Sequence, residues 1–225
     1  MIPLRDRIPH TLFPLFTLGL IALNCAVFFQ EVILPRQQLK LMMEAYALVP
    51  ERTVGFFRGS SVSASQAFLP FFSSMFLHGG WLHLIGNMWF LWIFGDNVED
   101  RLGHLRYLWL YLASGLAGAL THIVFNPSSS IPTVGASGAI AGVMGAYLIT
   151  FPGARILTLV PIFFFLTTVE LPAFILIIYW LLLQFLSGMV SITMAEAVGG
   201  VAWFAHIGGF LAGILLMLVM RIGRR

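Results

Sequence analysis

The sequence predicts an all-α, polytopic transmembrane bundle of six spans, because 59% of its residues are hydrophobic, only 9% are charged, and the apolar residues gather into long runs broken by Pro, Gly and charge. A soluble domain carries roughly 25% charged residues, so lipid is the main solvent of this chain. Spans of ~20 residues divide 225 residues into one bundle of about six helices, so a single domain over 1–225 is expected, with no separate soluble unit.

The first span falls near 13–34. Its apolar run, 12–34, is too long for the h-region of a signal peptide and no small-x-small cleavage site follows, so it is expected to stay as a membrane anchor. The single cysteine, Cys25, lies inside it, which excludes an internal disulfide framework and reads as a buried small hydrophobe. Residues 35–70 are the longest polar stretch, and 39–48 within it is partly amphipathic, as suits an ordered loop lying on the bilayer. The second span is placed near 80–97, with Glu99 and Arg101 holding the turn after it, and the third near 105–125. A polar loop, Asn126-Pro127-Ser128-Ser129-Ser130, precedes the fourth, near 136–152. From 156 to 192 the chain is almost continuously apolar, about 55 Å if helical, which fits one span plus an interfacial piece or nearly two spans. Glu170 and Pro172 interrupt it, and one crossing is placed near 169–190, with 157–166 at the cytoplasmic interface. The sixth span is near 203–221.

Basic residues set the orientation. With the N-terminus in the cytoplasm, Arg5, Arg7, Arg101, Arg106, Arg155, Arg221, Arg224 and Arg225 lie inside and Arg36, Lys40, Arg52 and Arg58 outside, eight of the twelve against four. A cell-membrane protein with both termini cytoplasmic is the expectation. The net charge of +3 is scattered at span ends instead of clustered on one polar face, which argues against a nucleic-acid partner.

The chemistry centres on Gly135-Ala136-Ser137-Gly138-Ala139-Ile140-Ala141-Gly142, at the opening of the fourth span. Alone, Ser137 reads as an N-cap or a small packing residue. His206, at the start of the sixth span, and His83 with Asn87, at the start of the second, change the weighing, because intramembrane ionisable residues are costly and mark function. Six-span parity places all four near the outer ends of spans running from outside to inside, where they can share one cavity. A second crossing within 156–192 would move His206 to the opposite face, so a joint site needs an odd number of crossings there. The short fourth span, about 25 Å against a hydrocarbon core of ~30 Å, sets Ser137 below the outer surface. Gly138 and Gly142, and Gly209 and Gly213, form small-xxx-small faces that let spans four and six approach backbone to backbone. His83 and Asn87, at i and i+4, share one helix face.

These segments resemble the rhomboid intramembrane serine proteases. The likeness covers most of the chain from about His78 and is carried by four ordered motifs: His78-Gly79-Gly80-Trp81-Leu82-His83-Leu84-Ile85-Gly86-Asn87-Met88, Glu99-Asp100-Arg101-Leu102-Gly103, Gly135-Ala136-Ser137-Gly138 and Ala205-His206-Ile207-Gly208-Gly209. The resemblance implies a Ser137–His206 dyad without a third carboxylate, cleaving transmembrane helices of other proteins. It assigns the oxyanion to the His83 and Asn87 side chains and the Ser137 backbone N–H. It implies neither cofactor nor metal, with membrane-embedded substrates and the bilayer as partners. In this reading His78 orders its loop, His122 is structural and Glu196 belongs to the last loop. Two departures stand out. Ala141 occupies the position, one turn after the serine, where the family often packs an aromatic ring on the histidine, leaving Trp203 or Phe204 to substitute. The Trp-Arg pair that some members carry in the first loop is missing.

Other classes of membrane protein fit the sequence less well. An inactive relative that escorts membrane clients typically lacks the serine or the histidine, and both are present. A small transporter predicts internal repeats, and none is convincing. Intramembrane metalloprotease chemistry lacks an HExxH, and two facing intramembrane aspartates are absent.

Overall fold

The computed structural model describes residues 1–9, 11–162, 165–193 and 202–222. Among the described residues the six longest helices are α1 (Leu15–Ile33), α6 (Trp81–Leu102), α7 (His104–Phe125), α8 (Ser137–Thr150), α9 (Ala173–Thr193) and α10 (Trp203–Ile222). Among the described residues, α1, α7 and the Trp203–Met220 part of α10 are long and apolar enough to cross a membrane by composition alone. The second helix runs to Leu102 instead of ending near 97, and carries Asp96, Glu99, Asp100 and Arg101 in its last turns. The 14 residues of α8 reach only about 21 Å.

The polar stretch 35–70 folds into short helices α2 (Arg36–Tyr46), α3 (Pro50–Phe57) and α4 (Ala64–Phe68), followed by α5 (Pro70–Ser73) and a 3₁₀ turn at Ser74–Phe76. Ser63 caps α4 through a capping box with Gln66, and Pro opens both α3 and α5, where a missing N–H costs nothing. This segment grips the loop before α8. Leu48 and Thr133 exchange both backbone hydrogen bonds at 3.0 and 2.8 Å, Glu51 N–H donates to the Ser129 carbonyl at 3.1 Å, and Gly135 N–H donates to the Ser74 carbonyl at 2.8 Å.

The helical reading needs one correction. The fifth long helix does not begin near 169, and the residues just before it are not helical. They form two antiparallel strands, β2 (Arg155–Ile162) and β3 (Phe165–Pro172), and α9 starts only at Ala173. A third strand, β1 (Ile2–Asp6), pairs antiparallel with β2, giving the order β1-β2-β3. The physical reason is side-chain branching and alternation: seven of the sixteen residues of β2 and β3 are the β-branched Val, Ile or Thr, and Ile156 and Thr158 point inward at alternate positions with no exposure. Because both faces carry apolar residues, the period of two was hidden in a run that also reads as helix. The hairpin uses the surplus apolar length, so the stretch contains one long helix, α9. Glu196, Arg224 and Arg225 lie outside the described residues.

Glu99 is the polar hub at the sheet end of the bundle. Fully buried, its carboxylate accepts from the Phe16 and Thr17 backbone N–H groups, both at 2.8 Å, and from the Thr17 hydroxyl at 2.7 Å, so it satisfies the first turn of α1. Its other contact is His104 Nδ1 at 2.5 Å, at the start of α7. Glu99 therefore ties three helices together, more than the single turn expected of it. Asp6 accepts from the Asn97 amide at 2.6 Å and the Tyr147 hydroxyl at 2.7 Å, which anchors β1 to α6 and α8.

The core sits where α7, α8 and α10 converge, with Tyr107, Tyr111, Phe94, Met144 and Tyr147 among its fully buried side chains. Glycines set how close these helices come. A Cβ on Gly209 would collide with the Gly138 carbonyl, and one on Gly213 with the Gly142 carbonyl. Gly142 faces Ser114 so closely that a methyl group there would overlap its side chain. Gly138 is different, since a Cβ on it would meet Ala205 at an ordinary 3.4 Å. It contributes backbone for Gly209 to rest on. Gly118 on α7 brings a second close approach, where a Cβ would lie 2.6 Å from the Ala205 carbonyl oxygen.

Candidate active site

Ser137 is the first residue of α8, and Ala136 before it makes no side-chain cap. Its hydroxyl caps no backbone N–H; Oγ lies 2.7 Å from Nε2 of His206, which enters from the first turn of α10. The two residues are 69 apart in sequence and meet because α8 and α10 cross on the glycines described above. On its other side, His206 Nδ1 lies 2.6 Å from Oε1 of Gln184, which projects from the middle of α9. An amide oxygen only accepts, so this contact places the imidazole proton on Nδ1 and leaves the Nε2 lone pair for the serine hydroxyl. His206 is 6% exposed and Gln184 9%.

His83 and Asn87, on the first two turns of α6, face the same space. The Gly79 backbone N–H donates to His83 Nδ1 at 3.3 Å, so the neutral ring carries its proton on Nε2. That nitrogen points at Gly135, where a Cβ would sit 2.6 Å away and 3.5 Å from Asn87 Nδ2. Gly135 also has φ of 124°, a backbone region that side chains rarely adopt, so conformation and space both require glycine here. The Asn87 amide donates to His78 Nε2 at 3.0 Å, and its second N–H remains for the cavity. His78 is held in turn by its backbone N–H, which donates to both carboxylate oxygens of buried Glu31 on α1, at 3.1 and 3.3 Å. Burial first, and the neighbouring His83 second, push the His78 imidazole down to about 4, so it is neutral and free to accept at neutral pH.

These groups line a cavity of about 470 Å³ between α6, α8, α9 and α10, walled by Leu82, Phe90, Met144 and Trp180. The backbone N–H groups at the start of α8 have no intrahelical acceptor, and the partial positive charge of the helix N-terminus falls on Ser137. Chemically, the arrangement can activate a hydroxyl through a neutral imidazole and offer several N–H donors to a nearby developing oxyanion. Among the described residues no group of three or more His, Cys, Asp or Glu could hold a metal ion.

Ala141, where a ring was missed in the sequence, is fully buried, and two indoles flank His206 instead: Trp203 at a centroid distance of 6.0 Å and Trp180 at 5.7 Å. Phe204 stacks on Phe125 at 4.5 Å and does not serve the histidine. His122 bonds the Thr133 hydroxyl at 3.2 Å, tying α7 to the loop before α8. Sequence reasoning missed Gln184 and Trp180. Gln184 is uncharged, so a survey of ionisable residues passes over it, yet an amide in the middle of an apolar helix was a visible signal.

Fold and site together define a polytopic helical membrane protein with a serine and a histidine in hydrogen-bond contact at one cavity. A family model described as the Rhomboid domain matches residues 65–222, and the chain belongs to the rhomboid family. It is 34% identical over 151 residues to RHOMBOID-like protein 6, mitochondrial, of Arabidopsis thaliana, a match covering 66% of this chain and 42% of that protein. It is also 34% identical over 137 residues to Rhomboid protease GluP of Bacillus subtilis (strain 168), covering 61% of this chain and 23% of the relative. Over a shorter stretch of 76 residues it is 45% identical to Rhomboid-like protease 5 of Toxoplasma gondii, covering 32% of this chain and 8% of that one. The chain thus spans less than half the length of these curated relatives.

Proposed function

We propose that this protein is an intramembrane serine endopeptidase that cleaves transmembrane helices of other membrane proteins with a Ser137–His206 dyad, using neither metal nor cofactor. The observation that carries this reading is the 2.7 Å contact between Ser137 Oγ and His206 Nε2, inside a polar cavity walled by apolar side chains. Ser137 Oγ attacks the scissile carbonyl carbon while its proton passes to His206 Nε2, forming a tetrahedral oxyanion. His83 Nε2–H, the second Asn87 amide N–H and the Ser137 backbone N–H stabilise that oxygen. As the C–N bond breaks, His206 returns the proton to the leaving amine. Water then attacks the acyl-serine ester through the same base and releases the second product. Gly138, Gly142, Gly209 and Gly213 hold α8 and α10 close enough for the dyad to form.

Residues 1–225 act in this reading as one rhomboid domain of the cell membrane, with the sheet side and both ends cytoplasmic. Partners are the lipid bilayer and membrane-embedded helical substrates. The decisive experiment labels the purified protein with a fluorophosphonate and maps the adduct by mass spectrometry, alongside cleavage of a single-pass helix in liposomes. An adduct on Ser137 together with cleavage supports the proposal. A protein that is folded, unlabelled at Ser137 and unable to cleave rejects it.

A further inference from the structure

We infer that Gln184 is a positioning residue for the catalytic base: its side-chain oxygen holds His206 in the Nδ1–H tautomer and supports the imidazolium that forms when Ser137 is deprotonated. The inference rests on the proposed serine-protease reading and adds a third member, from a third helix, to the dyad.

Geometry carries the argument. A neutral imidazole has one N–H, and only the ring with its proton on Nδ1 presents a lone pair to Ser137 at Nε2. In solution the two tautomers are close in energy, so an unassisted His206 would spend much of its time with a proton on Nε2, unable to accept from the serine. Gln184 Oε1, 2.6 Å from Nδ1, removes that ambiguity. The opposite amide orientation would aim an NH₂ at Nδ1 and force the unproductive tautomer, so the direction of this one amide decides whether the base works.

The bond is also placed where it counts. Gln184 and His206 are both nearly buried, so the hydrogen bond is not freely exchanged for a solvent one, and without Gln184 the Nδ1–H would lose the acceptor it has among the described residues. When the imidazole takes the serine proton, the ring becomes cationic, and a hydrogen bond to a charged donor is worth more than one to a neutral donor. Gln184 therefore contributes more to the transition state than to the resting enzyme, which is the condition for raising turnover. Trp180, one helical turn before Gln184 on α9, and Trp203, on the base's own helix, flank the imidazole, so α9 fixes both the ring's plane and its proton. A neutral amide keeps the same acceptor geometry as the carboxylate of a soluble triad without placing a second charge at depth in the membrane.

The test uses the whole chain reconstituted in nanodiscs, with ¹⁵N-labelled histidine and the His206 signals assigned by difference against His206→Ala. The wild type should show a protonated Nδ1 and an unprotonated Nε2. Gln184→Met, close in volume and lacking an acceptor, should shift His206 toward the Nε2–H form. It should also lower kcat, by more than about 10-fold and up to the ~10⁴-fold that a wrong tautomer costs a soluble triad, with KM little changed. Gln184→Glu, which keeps an acceptor at the same reach, should recover most of the lost kcat and the Nδ1–H signal. An unchanged tautomer in Gln184→Met overturns the proposal, as does equal loss of kcat in the Met and Glu variants at wild-type thermal stability. Because the nitrogen signals are read without substrate, failure of the protease reading and failure of this inference are separate results: the first appears as no cleavage and no Ser137 adduct, the second as an indifferent tautomer.

Discussion

A serine hydroxyl is a weak nucleophile until a base accepts its proton, so on the proposed mechanism Ser137 and His206 act as one unit and removing either removes nearly everything. Ser137→Ala, His206→Ala and the double variant should show similar residual single-turnover rates at wild-type thermal stability, since the second deletion has little left to remove. Rates that fall multiplicatively in the double variant would argue for two independent contributions. Asn87 has a graded role: Asn87→Ala should lower kcat by an amount approaching the ~10²–10³-fold lost with one oxyanion donor in a soluble serine protease, and an unchanged rate would leave Asn87 a purely structural partner of His78. His78 gives a stability prediction with a definite sign. Its imidazole is depressed from 6.5 to about 4 in the fold, so the unfolded chain binds the extra proton first, and His78 contributes stability that is present above pH 6.5 and lost as pH falls toward 4. The loss is on the order of 3 kcal/mol at most. Melting temperature against pH should therefore fall less steeply through this window for His78→Gln than for wild type, and parallel curves would refute the assignment. At this scale the sequence exposed what membrane physics makes expensive. His83, Asn87, Ser137 and His206 were visible as polar groups in an apolar chain, whereas the Gln184 contact depends on the rotation of α9, which no local pattern encodes.

At the scale of helices, the small-residue faces were legible because glycine spacing on a helix is a one-dimensional property. Which glycine bears the contact was not, because that depends on which helix points its Cα–H at a neighbour's carbonyl. The structure separates the four candidates. Gly209 and Gly213 on α10 lie directly against the carbonyls of Gly138 and Gly142, while Gly138 has ordinary clearance to Ala205. Gly209→Ala should therefore destabilise the bundle by about 1–3 kcal/mol, the usual cost of overpacking, and should lower cleavage by separating α8 from α10. Gly138→Ala should keep both stability and rate near wild type. Measured by thermal denaturation in detergent and by turnover, equal effects of the two would mean that the helices cross elsewhere. The same dependence on facing surfaces explains why Gly118 and its contact with Ala205 went unread. The strands were lost for a different reason: with apolar residues on both faces, β2 and β3 carry no polar alternation to distinguish them from a buried helix.

For the molecule as a whole, the consequence of the sheet is topological. β1 precedes α1 and β2 follows α8, and antiparallel pairing between them puts the two segments on one side of the bundle. Helices α1, α6, α7 and α8 between them must then make an even number of crossings, which agrees with four. The loop 126–136, between α7 and α8, falls on the opposite side, the side of Ser137. This prediction can be read by cysteine accessibility, since the chain has a single cysteine and Cys25→Ser gives a cysteine-free background. Ser128→Cys and Thr168→Cys both introduce the thiol at exposed positions, one in the loop before α8 and one on β3. In intact cells a membrane-impermeant maleimide should label Ser128→Cys, and should reach Thr168→Cys only after the membrane is permeabilised. Labelling of both from the same side would break the crossing parity that allows Ser137 and His206 to share a cavity. Labelling in the reverse sense would preserve the shared cavity while placing the sheet outside, against the eight-to-four bias of basic residues.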